Sequence, residues 1–586
     1  MRIASSALPV PLWLAIPILL IPACASMRRG GKPDGDADLL AAERALAERD
    51  FERAQSGFDR VTGRLPQSAE AWLGFGDASM GLFEACVADP RRGNALLHLQ
   101  DAKRGFEKAI ELDPNGLRAR IGAVRAARQL GDARAELQHA DALERTLAGN
   151  TDPEGRFDAF MELGRSRAGE FRVAARESEG GGGATLDGLY SRVLEAFQAA
   201  AAADPTRPEP AIDTAWFEFH RGAPADAQEI LFAEIEKRPE EARFHQALAD
   251  MAARSAGYGA LAEAYADRIG KLTETSATAS WFAGCASLLA GEALRVSDAE
   301  ASTAALNEAI VRLKRSYALK PEFTQTAKFY ESSAMAGLAR IQFDAQQTAE
   351  AARLLTKALE VSVAALERAD QHGVSPKRTS LEIGGVYFKA DELAKGAELF
   401  EEWLRLSPQD SDWLNNAGLL RRDLGEKLRR EGKTEEARRS HELSYSHYSK
   451  LAELKPNEPR VVNDTALLLL YDLDRDLDKA EAMFRRAIEL GEAELKQRGE
   501  RPTPDEEDPE SLRAAADWDY FAEATGDACQ NLGLLLWKQG GDSVQIRKHL
   551  ERAFELDPRG TRARMRGILK ELPDSGPAPR RTNPLR

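Results

Sequence analysis

The feature that most constrains this chain is a spaced quartet of residues that recurs eight times. Each copy has a small or aliphatic residue, a bulky apolar residue four places on, a usually small or apolar residue three beyond that, and a proline five beyond again. The copies are Ala54-Phe58-Val61-Pro66, Ala102-Phe106-Ala109-Pro114, Val193-Phe197-Ala200-Pro205 and Ala227-Leu231-Glu234-Pro239, followed by Ala309-Leu313-Ser316-Pro321, Gly396-Phe400-Trp403-Pro408, Ser444-Tyr448-Leu451-Pro456 and Ile546-Leu550-Ala553-Pro558. Offsets of four and seven place three side chains on one face of an α-helix. The proline lacks an amide hydrogen and pushes its predecessor out of helical geometry, which ends the helix. Every copy therefore predicts a helix with one buried face and a stop. The small residue admits a neighbouring helix and the bulky one fills the gap between repeats.

A second signature lies upstream, in Phe75-Gly76, Ile383-Gly384, Ala417-Gly418 and Leu532-Gly533, and supplies a partner helix. Pro205 and Pro239 are 34 residues apart, and a window of that length from Lys377 to Asp410 holds Ile383, Gly384, Tyr387, Gly396, Phe400, Trp403 and Pro408. In these residues the chain resembles the tetratricopeptide repeat family, whose helix-turn-helix unit of about 34 residues carries Trp, Leu-Gly, Tyr, Ala, Phe, Ala and Pro at matching places. The resemblance covers most of residues 39 to 572. It takes in two copies without proline, Ala351-Leu355-Ala358 and Ala480-Phe484-Ala487, and a degenerate unit in residues 115 to 150. It implies an all-α fold, an α-solenoid of stacked helix-turn-helix repeats forming a right-handed superhelix. The first helix of each pair would then line a concave surface that holds a peptide or a partner protein.

Composition points the same way. A chain of 586 residues would make about four ordinary domains, but the length of a solenoid reports repeat number instead. Runs of β-branched residues are scarce, and a hydrophobic share of 43% suffices for a continuous core between stacked helices. Two intervals, Pro66 to Pro114 and Pro408 to Pro456, are 48 residues, 14 longer than one unit, and predict extra turns between the paired helices. Gly180 to Gly183 reads as a flexible loop and Glu500 to Glu510 as an acidic, proline-containing insertion. The expected organisation is repeats at 39–179, 187–498 and 512–572, an acidic loop at 499–511, and a disordered tail at 573–586.

The N-terminus is an address. Arg2 precedes a largely apolar stretch from Ile3 to Ala23, interrupted by Pro9, Pro11, Pro17 and Pro22, which suits a cleaved export signal better than a spanning helix. Ile21-Pro22-Ala23-Cys24 resembles the bacterial lipobox, with Pro22 in the variable place. That resemblance implies a signal peptide at 1–23, lipidation of Cys24 and a flexible tether at 24–38. Loss of Arg2 would take the net charge from -15 to -16, so attachment to the membrane would come from the lipid and not from the acidic body. The same charge argues against a general nucleic-acid binder. Cys86, Cys285 and Cys529 show no paired metal spacing and read as small core residues.

Motifs for chemistry are incomplete. His441-Glu442 begins like a zinc-protease helix, but the place of the second histidine is Tyr445, and the pair reads as a polar helix face. Gly432-Lys433-Thr434 ends like a phosphate loop, yet the earlier glycine position is Lys427, and the segment reads as a turn. No cofactor or metal is implied. By register with the resembled family, Asn416 and Asn531 fall where peptide-binding members place asparagine, with Asp464 at the equivalent place between them. A row of amides can both give and accept bonds with an extended chain. Arg422 and Arg460 would add attraction for acidic partners. The reading is a non-enzymatic, membrane-tethered interaction scaffold in a bacterial cell envelope. The alternatives are a permanent structural subunit of an envelope complex, such as secretion, pilus or cell-wall machinery, and an enzyme with a site in the irregular segment from Gly270 to Lys320.

Overall fold

A computed structural model describes residues 37–149, 155–177, 183–255, 257–505, 508–556 and 563–579. The expected signal peptide and most of the tether, with Cys24, lie outside them. Among the described residues are twenty-five α-helices, numbered α1 to α25 in chain order, and no strand beyond one isolated bridge. The chain divides into two compact units, Met1–Lys237 and Arg238–Arg586. Within each unit a helix packs antiparallel on the next as a hairpin, and successive hairpins stack.

The eight quartets are the second helices of these hairpins, and their faces are buried as the spacing requires. Ala54, Phe58 and Val61 of α2 (Phe51–Arg64) are at most 1% exposed, and Ile546, Leu550 and Ala553 of α24 (Ser543–Leu556) are fully covered. Glu234 is the exception among the quartet residues, a partly exposed side chain that pairs with Lys237 at 2.8 Å. The degenerate unit is also a hairpin, α5 (Leu117–Gln129) with α6 (Ala133–Gly149).

The glycine signature has a steric cause. A Cβ on Gly76 would meet Phe106 at 2.7 Å, one on Gly384 would meet Phe400 at 2.4 Å, and one on Gly418 would meet Tyr448 at 2.7 Å. The bulky quartet residue therefore sits first against the glycine of its own hairpin. Phe106 also reaches Gly122 of the following hairpin, so a single ring fixes both contacts.

Both 48-residue intervals are met by longer helices. The hairpin of α17 (Pro376–Lys389) and α18 (Leu393–Leu406) has 14 residues in each helix, whereas α19 (Ser411–Arg430) and α20 (Thr434–Leu454) have 20 and 21. Their connection remains a tight turn at Gly432, whose φ of +80° is the left-handed conformation that favours glycine. The pair in the other 48-residue interval is α3 (Ala69–Ala88) and α4 (Ala95–Leu112), with 20 and 18 residues.

Two expectations are corrected. The segment from Gly270 to Lys320 is regular, a long hairpin of α13 (Ala277–Leu294) and α14 (Ala299–Leu319). Every residue from Ala277 to Glu292 is buried, so α13 has no solvent face and none of the 3.6-residue patterning by which a helix is recognised. The C-terminal residues expected as a tail begin as a packed strap: after α25 (Ala563–Glu571), the Ser543 amide donates to the Gly576 carbonyl at 2.9 Å and the Ala578 amide to that of Gly541 at 2.8 Å. Ile568, Leu572 and Ala578 cover the apolar end of the last hairpin, which a solenoid must cap.

Candidate partner-binding face

In the second unit, three successive first helices carry the residues singled out from the sequence. Asn416 and Arg422 are on α19, Arg460 and Asp464 on α21 (Pro459–Leu467), and Asn531 on α23 (Pro509–Gln539). The starts of these helices are fixed locally. Asp410 accepts from the amides of Asp412 and Trp413, proline occupies the first turn of α21 and α23, and Asp508 accepts from the Glu510 amide.

Four of the five residues come together. The Tyr471 hydroxyl donates to Asn531 Oδ1 at 2.8 Å, Asn531 Nδ2 to Asn463 Oδ1 at 3.0 Å, and Asn463 Nδ2 to Asp464 Oδ1 at 3.1 Å. This relay crosses from α23 to α21 and ends on a carboxylate. Burial pushes the Asp464 carboxyl up to about 6, with Asp527 adding repulsion and Arg422 and Arg460 pulling the other way. Arg422 itself lies with Nε 3.2 Å from Asp423 Oδ1. Arg460 sits 4.4 Å over the Tyr520 ring and donates from Nη2 to Glu523 at 2.8 Å. Its Nε is buried with no hydrogen-bond partner among the described residues.

Asn531 is only 4% exposed, and both ends of its amide are engaged in the relay, so it braces Asn463 and Asp464 from behind. Asn416 stands outside the network and donates to the Asp412 carbonyl of its own helix at 2.7 Å. Sequence reasoning missed Asn463, Tyr471 and Tyr520. Tyr471 is placed by a five-residue π-helical turn, Leu468–Asp472, that no spacing rule announces.

Behind this face, His441 is 2% exposed and does not lie on a polar surface as expected. Its ring packs against Gly425, with Nε2 3.6 Å from Asp472 Oδ1. Tyr445 is hydrogen-bonded to Lys479 and provides no second imidazole. In the segment from Gly270 to Lys320, Glu292 is paired with Arg368, and Arg295 with Asp344 and Asp370 at 3.0 and 2.9 Å. The cavity beside Glu292, Arg340 and Arg368 holds about 20 Å³, the room of a single water. Cys86, Cys285 and Cys529 are all buried.

The first helices of the first unit are joined differently. On α7 (Arg156–Glu177), Glu162 is 1% exposed and receives Arg128 at 2.6 Å, Arg125 at 3.1 Å and Arg165 at 3.1 Å. Arg165 continues to Asp213 of α9 (Glu209–Arg221) at 2.6 Å, while Arg118 of α5 reaches back to Asp77 of α3 at 2.9 Å. Burial alone would raise the Glu162 carboxyl, but the three guanidiniums hold it below the usual range.

No family model and no curated protein matches the sequence. Among solved structures, the chain is similar to a tetratricopeptide repeat protein from Parabacteroides merdae, at 12% identity over 51% of this chain and 97% of that one, with a TM-score of 0.29. It is also similar to the C-terminal part of a TPR repeat-containing protein from Cytophaga hutchinsonii, at 12% identity over 61% and 99%, TM-score 0.26. A third is the APC/C hetero-tetramer Cut9-Hcn1, at 11% identity over 91% and 95%, TM-score 0.26. The chain's own hairpins, with glycine seated against a bulky residue of the second helix, define the class: an α-solenoid of helix-turn-helix repeats.

Proposed function

We propose that this protein is an interaction scaffold that binds an extended peptide or a partner protein on the first-helix face of its second unit, between α19, α21 and α23. The observation that carries the reading is the pair Arg460 and Asp464, one turn apart on α21: a buried donor nitrogen with no partner among the described residues and a carboxylate whose pKa burial raises to about 6. Folding gains nothing from leaving either group so; a shift of the Arg460 side chain, which is 36% exposed, would bring its nitrogen to a peptide carbonyl, and half-buried Asp464 can accept a peptide amide hydrogen. Arg422 supplies charge beside that pair, and Asn531 holds Asp464 in place through Asn463. The lipobox-like sequence at Cys24 supports a lipid anchor on the extracytoplasmic side of a bacterial envelope.

Selection from a randomised peptide pool on the purified chain tests the binding face. Defined sequences should be enriched, and Arg460→Ala with Asp464→Asn should weaken their binding about tenfold or more, the loss of two buried hydrogen bonds. Enrichment that ignores both substitutions would sink the reading. The anchor is tested by the mass of the N-terminal peptide from a diderm host. A diacylglycerol mass on Cys24, absent from Cys24→Ala, is the expected result, and an intact Met1 would refute it.

A further inference from the structure

One connection in the second unit is out of proportion. Three second helices reach the next first helix in four residues: 320–323 between α14 and α15 (Thr324–Asp344), 407–410 between α18 and α19, and 455–458 between α20 and α21. Between α16 (Thr348–Val361) and α17 the chain takes residues 362–375, and Val363 stands where a proline would close the quartet of Ala351, Leu355 and Ala358. The extra residues form a strap across three successive first helices. Arg368 lies on Glu292 of α13, its Nη1 on Oε1 and its Nη2 3.3 Å from Oε2. Asp370 Oδ2 accepts from Arg295 Nε at 2.9 Å, Gln371 Nε2 donates to the Leu289 carbonyl at 3.0 Å, and His372 Nε2 is 3.0 Å from the Glu292 carbonyl. Ser333, Ala336 and Arg340 of α15 and Thr379 of α17 meet Arg368, Asp370 and Val374 around the single-water cavity. The strap turns at Gly373, φ +73°, where Asp370 Oδ1 accepts from the amides of His372 and Val374 at 2.8 and 2.9 Å. Leu366 and Pro376 at its ends are buried, and every residue between them is exposed or half-buried.

We propose that residues 367–375 are a built-in occupant of the first-helix groove, and that the face of α13 and α15 beneath them is a peptide site, held shut by this strap, for a segment that presents an arginine two residues ahead of an acid. The groups that recognise such a segment are in place. Glu292, 3% exposed, takes a guanidinium through both oxygens, Arg295 takes the acid, and the Leu289 and Glu292 carbonyls accept from the side chains that follow. A buried carboxylate needs a cation, and an arginine from outside meets that need as Arg368 does. The strap is held by charge and hydrogen bonds, with no fully buried residue between its ends, so it can lift without opening the core. In cis its effective concentration is on the order of millimolar, which keeps the site closed to a dilute competitor. The site is separate from the α19–α23 face and does not rest on that reading.

The test uses the full chain with residues 367–375 replaced by glycine and serine at the same length, and a fluorescent synthetic peptide of residues 365–376 followed by anisotropy. The opened chain should bind the peptide, and the parent should bind it at least about tenfold more weakly. Arg368→Ala in the peptide, or Glu292→Gln in the opened chain, should each weaken binding about tenfold or more through loss of the charged pair. Equal binding to parent and opened chain overturns the proposal. So does binding indifferent to Glu292→Gln, or no binding to an opened chain whose far-ultraviolet circular dichroism spectrum matches the parent. If the opened chain does not fold, the parent carrying Arg368→Gln with Asp370→Asn decides, because the new amide keeps the Oδ1 acceptor of the turn while the pair removes the charges that hold the strap down. That variant should bind the peptide at least about tenfold more tightly than the parent, and no gain overturns the proposal. Peptides selected on the α19–α23 face report on that reading separately, so the two fail independently.

Discussion

Two first-helix sites, Glu162 in the first unit and Asp464 in the second, treat buried charge in opposite ways. In the first unit, Glu162 is enclosed by Arg125, Arg128 and Arg165, and the ladder runs on through Asp213, so each charge meets opposite charge from a neighbouring helix. In the second, Asp464 is half-buried with one amide donor and two arginines already engaged by Asp423 and Glu523. A carboxylate lowered by its partners is part of how helices are held together. One raised by burial is a cost to the fold; Asp77 and Asp213 of the first unit carry it too but each is closed by an arginine, whereas Asp464 carries it beside a donor nitrogen that has no partner among the described residues.

The largest expected effect comes from Glu162→Gln. Removing the anion leaves three guanidiniums facing one another, and urea denaturation should show a loss of about 3–5 kcal/mol. A loss below 1 kcal/mol would break the comparison. Next, Gly76→Leu in the first unit and Gly418→Leu in the second should each cost about 1–3 kcal/mol, because both would drive a side chain into an aromatic ring. Similar costs would show that the units differ in charge placement and not in packing quality.

The smallest effect is the most discriminating. Asp464→Asn should stabilise the chain by roughly 1–2 kcal/mol above pH 6 while weakening partner binding. The sign follows from a folded value of about 6 against an ordinary 3.8. The native state is favoured by the protonated acid at low pH, and that advantage is lost as pH rises through about 6, so the gain from asparagine should vanish below about pH 4. Glu162 runs the other way. Its contribution is present above its ordinary 4.5 and is lost as pH falls through its depressed folded value. Denaturation midpoints of Asp464→Asn and Glu162→Gln should therefore both diverge from the parent at the upper end of the pH scale and in opposite directions, upward for Asp464→Asn and downward for Glu162→Gln, and both differences should shrink as pH falls.

Legibility from sequence was uneven for stated reasons. The second helices were visible because proline marks each stop and the quartet samples one buried face, as at Phe400 and Trp403, both fully buried. The quartet at Ala309 marks α14, but its partner α13 is not legible, because a helix buried on all sides carries no period. At the candidate site, Asp464 is reachable by counting along the repeat, and Arg422 and Arg460 as the cations near that row. Counting could not separate Asn531, whose amide is consumed inside the unit, from Asn416, which remains partly exposed on its own helix.

The sequence by itself determined the helical hairpin, since helix period, proline stops and the need of glycine opposite a bulky side chain are local rules that hold in any surroundings. Only the tertiary structure decided which charges are satisfied. Whether Glu162 meets three arginines and Asp464 one amide depends on how neighbouring first helices are set against each other, over separations of up to 68 residues, as from Asn463 to Asn531. Electrostatic balance is a property of those distances and of the water they exclude, and spacing along the chain encodes neither.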